Sequence, residues 1–213
     1  LLLDLTDKVS FLQEQQVIKF AESLANLKSD NAVGMHERAI LVLLKESHNS
    51  QLPIPVVSVC NPGDGSDLDE FTGNPGLAKK RFEERFLSPI KDAISTLVEV
   101  QPAGSSPIIE SIRGIGVSSF FTSPKTGHKN RLIVISDMIQ NSNNISFYRD
   151  GLVLNDKALQ TQAAELDEVE EAELYVIGRE QLATTQGKEL IEFWSRYFRF
   201  SGTTLSSAER WTE

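Results

Sequence analysis

The chain has 213 residues, 40% hydrophobic and 24% charged, with a formal net charge of -9. That length suits a single α/β domain with its own core, read here as residues 1 to about 199 followed by a tail from about 202 to 213. The acidic balance, with no basic stripe interleaved with aromatics, argues against nucleic acid as a partner and leaves a cation or a protein open.

No apolar run approaches the roughly 18 residues a membrane span needs. The single cysteine, Cys60, rules out an internal disulfide. It is expected to be a small buried apolar residue, and its solitude fits a reducing compartment, with the cytoplasm favoured. The chain opens inside a strand, without Met and without a signal peptide. It is therefore expected to be a piece of a longer protein, and an upstream leader or anchor stays open.

The first stretch, Leu1-Leu2-Leu3-Asp4-Leu5-Thr6-Asp7-Lys8, reads as a short buried strand opening into a loop. Residues 9–29 read as a helix, with Val17, Phe20, Ala21, Leu24 and Leu27 at helical spacing. Arg38 to Leu44 reads as a strand, with a helix as the alternative; His36 and His48 flank it without metal-site spacing. Ile54 to Cys60 is β-branched and reads as a strand ended by Asn61-Pro62-Gly63. The acidic stretch Asp64 to Glu70 does not match a calcium loop and is expected to be solvated. Residues 77–99 read as a helix with a seam of Phe82, Phe86, Ile90, Ile94 and Leu97, kinked or broken at Pro89.

Gly104-Ser105-Ser106-Pro107 precedes another helix, to about Gly114 or Gly116, with Ser106 as N-cap and Pro107 at the first helical position. Arg131 to Ser136 is a clear strand tipped by Asp137, and Gln140 to Asn144 is a loop. Residues 156–167 read as a helix, Asp167 to Glu173 as a solvated acidic turn, and Leu174 to Ile177 as a last strand closed by Gly178. The final helix, about 187–199, buries Leu190, Phe193, Trp194 and Tyr197, and the stretch beyond Gly202 is expected to fray. Strands alternating with helices predict an α/β fold with a doubly wound, mostly parallel sheet and helices on both faces.

Ligands of such sheets bind beyond the carboxyl ends of the strands. Three segments bring oxygens there: Asp4, Thr6 and Asp7; Ser105 and Ser106; and Asp137. Carboxylates and hydroxyls are hard ligands that suit Mg²⁺ or Mn²⁺. Plainer readings exist for each: a polar strand end for Asp4 and Thr6, a helix cap for Ser106, a turn cap for Asp137.

Asp4-Leu5-Thr6-Asp7-Lys8, Gly104-Ser105-Ser106-Pro107-Ile108 and Ile135-Ser136-Asp137 together resemble the von Willebrand factor A domain and its metal-ion-dependent adhesion site. The likeness spans residue 1 to about 199. Cys60-Asn61-Pro62-Gly63 and the Phe193-Trp194 helix look similar to features of bacterial proteins of this class. The resemblance implies a non-enzymatic interaction module. Thr6 and Ser106 would bind an ion directly and Asp4 and Asp137 largely through water, with an Asp or Glu of a partner protein completing the shell. Two positions depart from the pattern: Lys8 stands at a normally ligating Ser, and Met138 replaces a Gly. An ammonium at Lys8 either repels or replaces the ion, giving a metal-free interaction domain, or points to solvent. The alternative function is a Mg²⁺-dependent phosphoryl-transfer enzyme of haloacid dehalogenase type. Asp4 would be its nucleophile, Ser106 would hold the phosphate and Asp137 the metal. No convincing phosphate-binding Lys follows the Ser106 helix, and Gln140 and Asn141 stand where a second acid is needed.

Overall fold

A computed structural model describes residues 1–26, 29–44, 53–69, 73–98, 104–121 and 129–212. In chain order its elements are β1 (Leu2–Leu3), α1 (Phe11–Ala25), β2 (Arg38–Leu43), β3 (Pro55–Cys60), α2 (Pro75–Phe82), a π-helical turn (Glu83–Leu87), α3 (Ser88–Val98), α4 (Ile108–Gly116), β4 (Arg131–Ser136), α5 (Phe147–Asp150), α6 (Asp156–Gln162), β5 (Glu171–Ile177), a 3₁₀ turn (Glu180–Leu182), α7 (Lys188–Phe200) and β6 (Thr204–Trp211). The fold is α/β and mostly parallel. The β1–β4, β4–β5 and β5–β6 pairs run parallel and β2–β3 antiparallel, compatible with the expected doubly wound architecture. No helix among the described residues is long and apolar enough to cross a membrane.

The chain divides into two compact units: Leu1–Val9, Leu43–Ile54 and Gln101–Glu213 in the first, Ser10–Val42 and Pro55–Val100 in the second. In the first, β1, β4, β5 and β6 lie side by side, with Leu2 opposite Val134 and Leu3 opposite Ile135. Leu132 to Ile135 are all buried, as a parallel strand covered on both faces requires. The Asp4 amide continues the ladder by donating to the Ile135 carbonyl at 2.8 Å, and the Leu44 amide donates to the Leu3 carbonyl at 2.8 Å. Asp4 and Asp137 thus emerge from adjacent strands at the same end.

Several expectations for this unit are corrected. The acidic turn ends earlier, because β5 begins at Glu171; pairing of Glu171 with Arg131 draws polar residues into the ladder. Glu173 is consequently buried, with Arg131 3.4 Å away. α6 stops at Gln162, where Ala163 turns extended (ψ 145°). The stretch beyond Gly202 forms β6, held by its ladder to β5 and by Trp211 packed on Tyr175 at 5.2 Å. α7 buries Leu190, Phe193, Trp194 and Tyr197 as expected, with Trp194 edge-on to both Phe193 and Tyr197 at 5.4 Å.

In the second unit, Ser10 and Gln13 form a reciprocal capping box that starts α1, and Val17, Phe20, Ala21 and Leu24 are buried. Leu27, His48 and Glu70 lie outside the described residues, as does the side chain of Leu97. Residues 38–43 are a strand, paired with β3 so that Arg38 faces Cys60. β3 alternates between half-buried and exposed positions, and Cys60 falls on the exposed phase. It is therefore exposed, against expectation. Asp67 and Asp69 are exposed, in keeping with a solvated loop. Pro89 leaves its mark as the π-helical turn just before it: it has no N–H for the Arg85 carbonyl, and the helix widens there. Phe82, Phe86, Ile90 and Ile94 stay buried across the irregularity.

Candidate functional site

The cluster lies wholly within the first unit and is organised around Asp4, 4% exposed at the end of β1. Asp4 Oδ1 accepts from the Thr6 hydroxyl at 2.7 Å and the Thr6 amide at 3.1 Å. Asp4 Oδ2 accepts from the hydroxyls of Ser106 at 2.6 Å and Ser136 at 2.7 Å. A carboxylate can only accept, so each hydroxyl directs its proton at Asp4 and keeps its oxygen lone pairs for another donor or a cation. Ser136 gives one of those to the Met138 amide at 2.8 Å. Thr6 and Ser106 accept no side-chain hydrogen bond among the described residues.

Ser106 is not the cap of α4. Pro107 holds that position without a side-chain bond, because the Ser106 hydroxyl is turned to Asp4. The cap is supplied from afar: Gln140 Oε1 accepts the Ile109 amide at 2.8 Å. A two-way backbone bridge between Ser106 and Asn141, 2.8 Å each way, fixes the Ser106 segment against the loop after β4. Ser105 is half-buried and does not join the cluster.

Asp137 is 5% exposed but far less well served than Asp4. Its Oδ1 accepts the Ile139 amide at 2.9 Å, and the nearest cation is Arg179, with Nε 3.7 Å from Oδ2. Burial, then repulsion from Asp4, push its pKa up to about 8, against the opposing pull of the Ile139 amide and Arg179. Partial burial, with Asp137 and Asp7 adding to it, also raises the Tyr148 phenol above its ordinary value. The turn is wired to the core. Gln186 Nε2 donates to the carbonyls of Asp137 and Ile177 at 2.9 Å each, and Trp194 Nε1 donates to the Met138 carbonyl at 3.0 Å. Met138 itself sits at φ 61°, a left-handed backbone that favours glycine.

The four residues singled out as an ion site, Asp4, Thr6, Ser106 and Asp137, are therefore neighbours through Asp4 or its strand end. Lys8 does not enter the cluster: it is exposed and makes no ion pair among the described residues. The cation present is Arg179, at the tip of β5. A terminal nitrogen lies 3.9 Å from Asp7 Oδ2, another donates to the Lys8 carbonyl, and the side chain is 16% exposed. A cavity of about 430 Å³, lined by Asp7, Lys8, Tyr148, Arg179, Glu180 and residues 181–182, opens beside it.

Sequence reasoning missed Ser136 and Arg179. Ser136 carried a signal, a hydroxyl ending an otherwise apolar strand, which must find a partner when buried. Arg179 carried the same strand-tip signal as Asp4 and Asp137. Among the described residues no three His, Cys, Asp or Glu side chains group as a metal cage. A cation here would instead meet two carboxylates and the hydroxyls of Thr6 and Ser106, a hard-oxygen set that fits Mg²⁺ or Mn²⁺. No family model matches the chain, and no curated protein matches its sequence.

Proposed function

We propose that the chain is a protein-interaction module of von Willebrand factor A type, which takes Mg²⁺ or Mn²⁺ at the strand-end cluster and binds a partner protein through it. The observation that carries this reading is the orientation of two hydroxyls. Thr6 and Ser106 point their protons at Asp4 and leave their lone pairs for a cation, beside the underserved carboxylate of Asp137. Thr6 and Ser106 would hold the ion directly, oriented by Asp4, and Asp4 and Asp137 would supply negative charge, largely through water. A bound divalent ion would supply a positive centre for an Asp or Glu of the partner, with no bond made or broken. Tyr148, 58% exposed beside the same carboxylates, offers the partner an amphipathic contact at the rim.

A phosphoryl-transfer role for Asp4 lacks comparable support. A nucleophile needs a free oxygen facing the phosphorus, whereas both Asp4 oxygens already accept hydrogen bonds and the residue is buried. The test is calorimetric titration of Mg²⁺ and Mn²⁺ into the wild type and Asp137→Ala, with thermal shift alongside. Saturable binding in the wild type that disappears in the variant is the expected result. No heat and no stabilisation at millimolar ion would overturn the ion site.

A further inference from the structure

We infer that Arg179 is the resident counter-cation of this site and sets how tightly a divalent ion is taken up, the ion entering only as the guanidinium withdraws; the inference rests on the ion-site reading above. Asp4, Asp7 and Asp137 converge on one end of the parallel strands, and Arg179 is the single positive side chain ion-paired there among the described residues. Its hold is loose. Nε lies 3.7 Å from Asp137 Oδ2 and a terminal nitrogen 3.9 Å from Asp7 Oδ2, both beyond hydrogen-bond length. Nε is buried without any hydrogen-bond partner, and the guanidinium donates to one backbone carbonyl, that of Lys8. A guanidinium that holds a carboxylate tightly commonly does so as a two-pronged fork. This one neutralises charge without forming one.

The surroundings allow the exchange. The cavity of about 430 Å³ borders Arg179 and is lined also by Asp7, Lys8, Tyr148 and Glu180. Glu180, an exposed residue that also lines the cavity, would receive the displaced guanidinium. A small divalent ion next to Asp137 repels Arg179 and replaces its neutralising role, so ion in and arginine out are one step. The displaced guanidinium then stands in the cavity beside the ion, adding a second positive group for an acidic partner.

The experiment is calorimetric titration of Mg²⁺ alone into the full chain, comparing wild type with Arg179→Gln, with melting temperatures measured in EDTA and in Mg²⁺. Arg179→Gln is expected to bind Mg²⁺ at least tenfold more tightly, to melt lower than wild type in EDTA, and to recover most of that loss in Mg²⁺. Equal or weaker affinity, with heat in both proteins, overturns the role of Arg179 while leaving the ion site standing. A melting temperature lowered equally with and without Mg²⁺ marks a merely structural arginine and also overturns it. Heat from neither protein overturns the ion site and this inference together. If Arg179→Gln does not fold, Arg179→Lys withdraws the charge on a shorter stem, and an affinity no higher than wild type then counts against the proposal. In a double-mutant cycle, Glu180→Gln should weaken ion binding in the wild type and have no effect in the Arg179→Gln background; equal effects in both overturn the exchange.

Discussion

The two ends of the parallel strands β4 and β5 each hold a buried carboxylate and an arginine, and the two ends use them differently. At the starting end Glu173 faces Arg131 at 3.4 Å, and the Tyr175 hydroxyl donates to its other oxygen at 3.4 Å: one acid, one base, and a neutral donor. At the finishing end Asp137 shares one arginine with Asp7 and feels the charge of Asp4. At the first end each oxygen of the buried carboxylate has its own partner. The second sets three carboxyl groups against one ion-paired arginine among the described residues. Hydrogen bonding sorts the finishing end further, because Asp4 receives four donors and Asp137 one from the amides and hydroxyls around it. Asp4 thus fixes the shape, and Asp137 is the group left wanting a cation.

The contrast can be broken by mutation. Asp4→Ala is expected to have the largest effect. It orphans three hydroxyls in a buried cluster and should cost about 3 kcal/mol in urea denaturation. A loss under about 1 kcal/mol would mean that Asp4 does not organise the site. Arg131→Ala, at the starting end, leaves the Glu173 carboxylate buried with the Tyr175 hydroxyl as its remaining partner among the described residues. It should cost roughly 1–3 kcal/mol and leave Mg²⁺ binding untouched.

The finishing end has a pH signature. Asp137 has its folded pKa raised from 3.8 to about 8, so the folded state holds a proton that the unfolded chain releases. Its contribution to stability is complete below pH 4 and drains away as pH rises from about 4 to about 8. In EDTA, Asp137→Asn should therefore lose less stability than wild type between pH 5 and pH 9 (roughly these limits), and should be the more stable protein at the alkaline end. Parallel pH curves for the two proteins would show that Asp137 carries no such burden.

The smallest contrast lies between two serines. Ser136→Ala removes a hydroxyl that already serves both Asp4 and the Met138 amide, and should cost about 1 kcal/mol with Mg²⁺ affinity changed little. Ser106→Ala should cost no more in stability, yet lower Mg²⁺ affinity tenfold or more. Equal ion affinities in the two variants would remove the distinction between supporting and ligating hydroxyls.

Much of this was legible from residue types at strand ends. Asp4, Thr6, Ser106 and Asp137 stood out because polar residues at the tips of apolar strands are few and the strand rule places them at one edge. The direction of a side chain was not legible. Spacing could not tell whether Lys8 turned toward the acids or to solvent, nor that Arg179, from the other side of β4, would take up the position. Local pattern alone makes Ser106 a cap, whereas the Ser106 hydroxyl goes to the distant Asp4 and Gln140 takes over the capping. β6 escaped because Thr204 to Trp211 is mostly exposed and shows no apolar alternation. Its stability comes from backbone pairing with β5, which composition does not report.

The indole of Trp194 gives the site a built-in optical reporter. It is fully buried, and its N–H is bonded to the carbonyl of Met138, the residue that follows Asp137. Any rearrangement of that turn alters the hydrogen bond, and with it the local field across the ring. The emission wavelength of a single core tryptophan, read in a protein whose Trp211 has been changed to phenylalanine, would then follow events at the strand tips without any label.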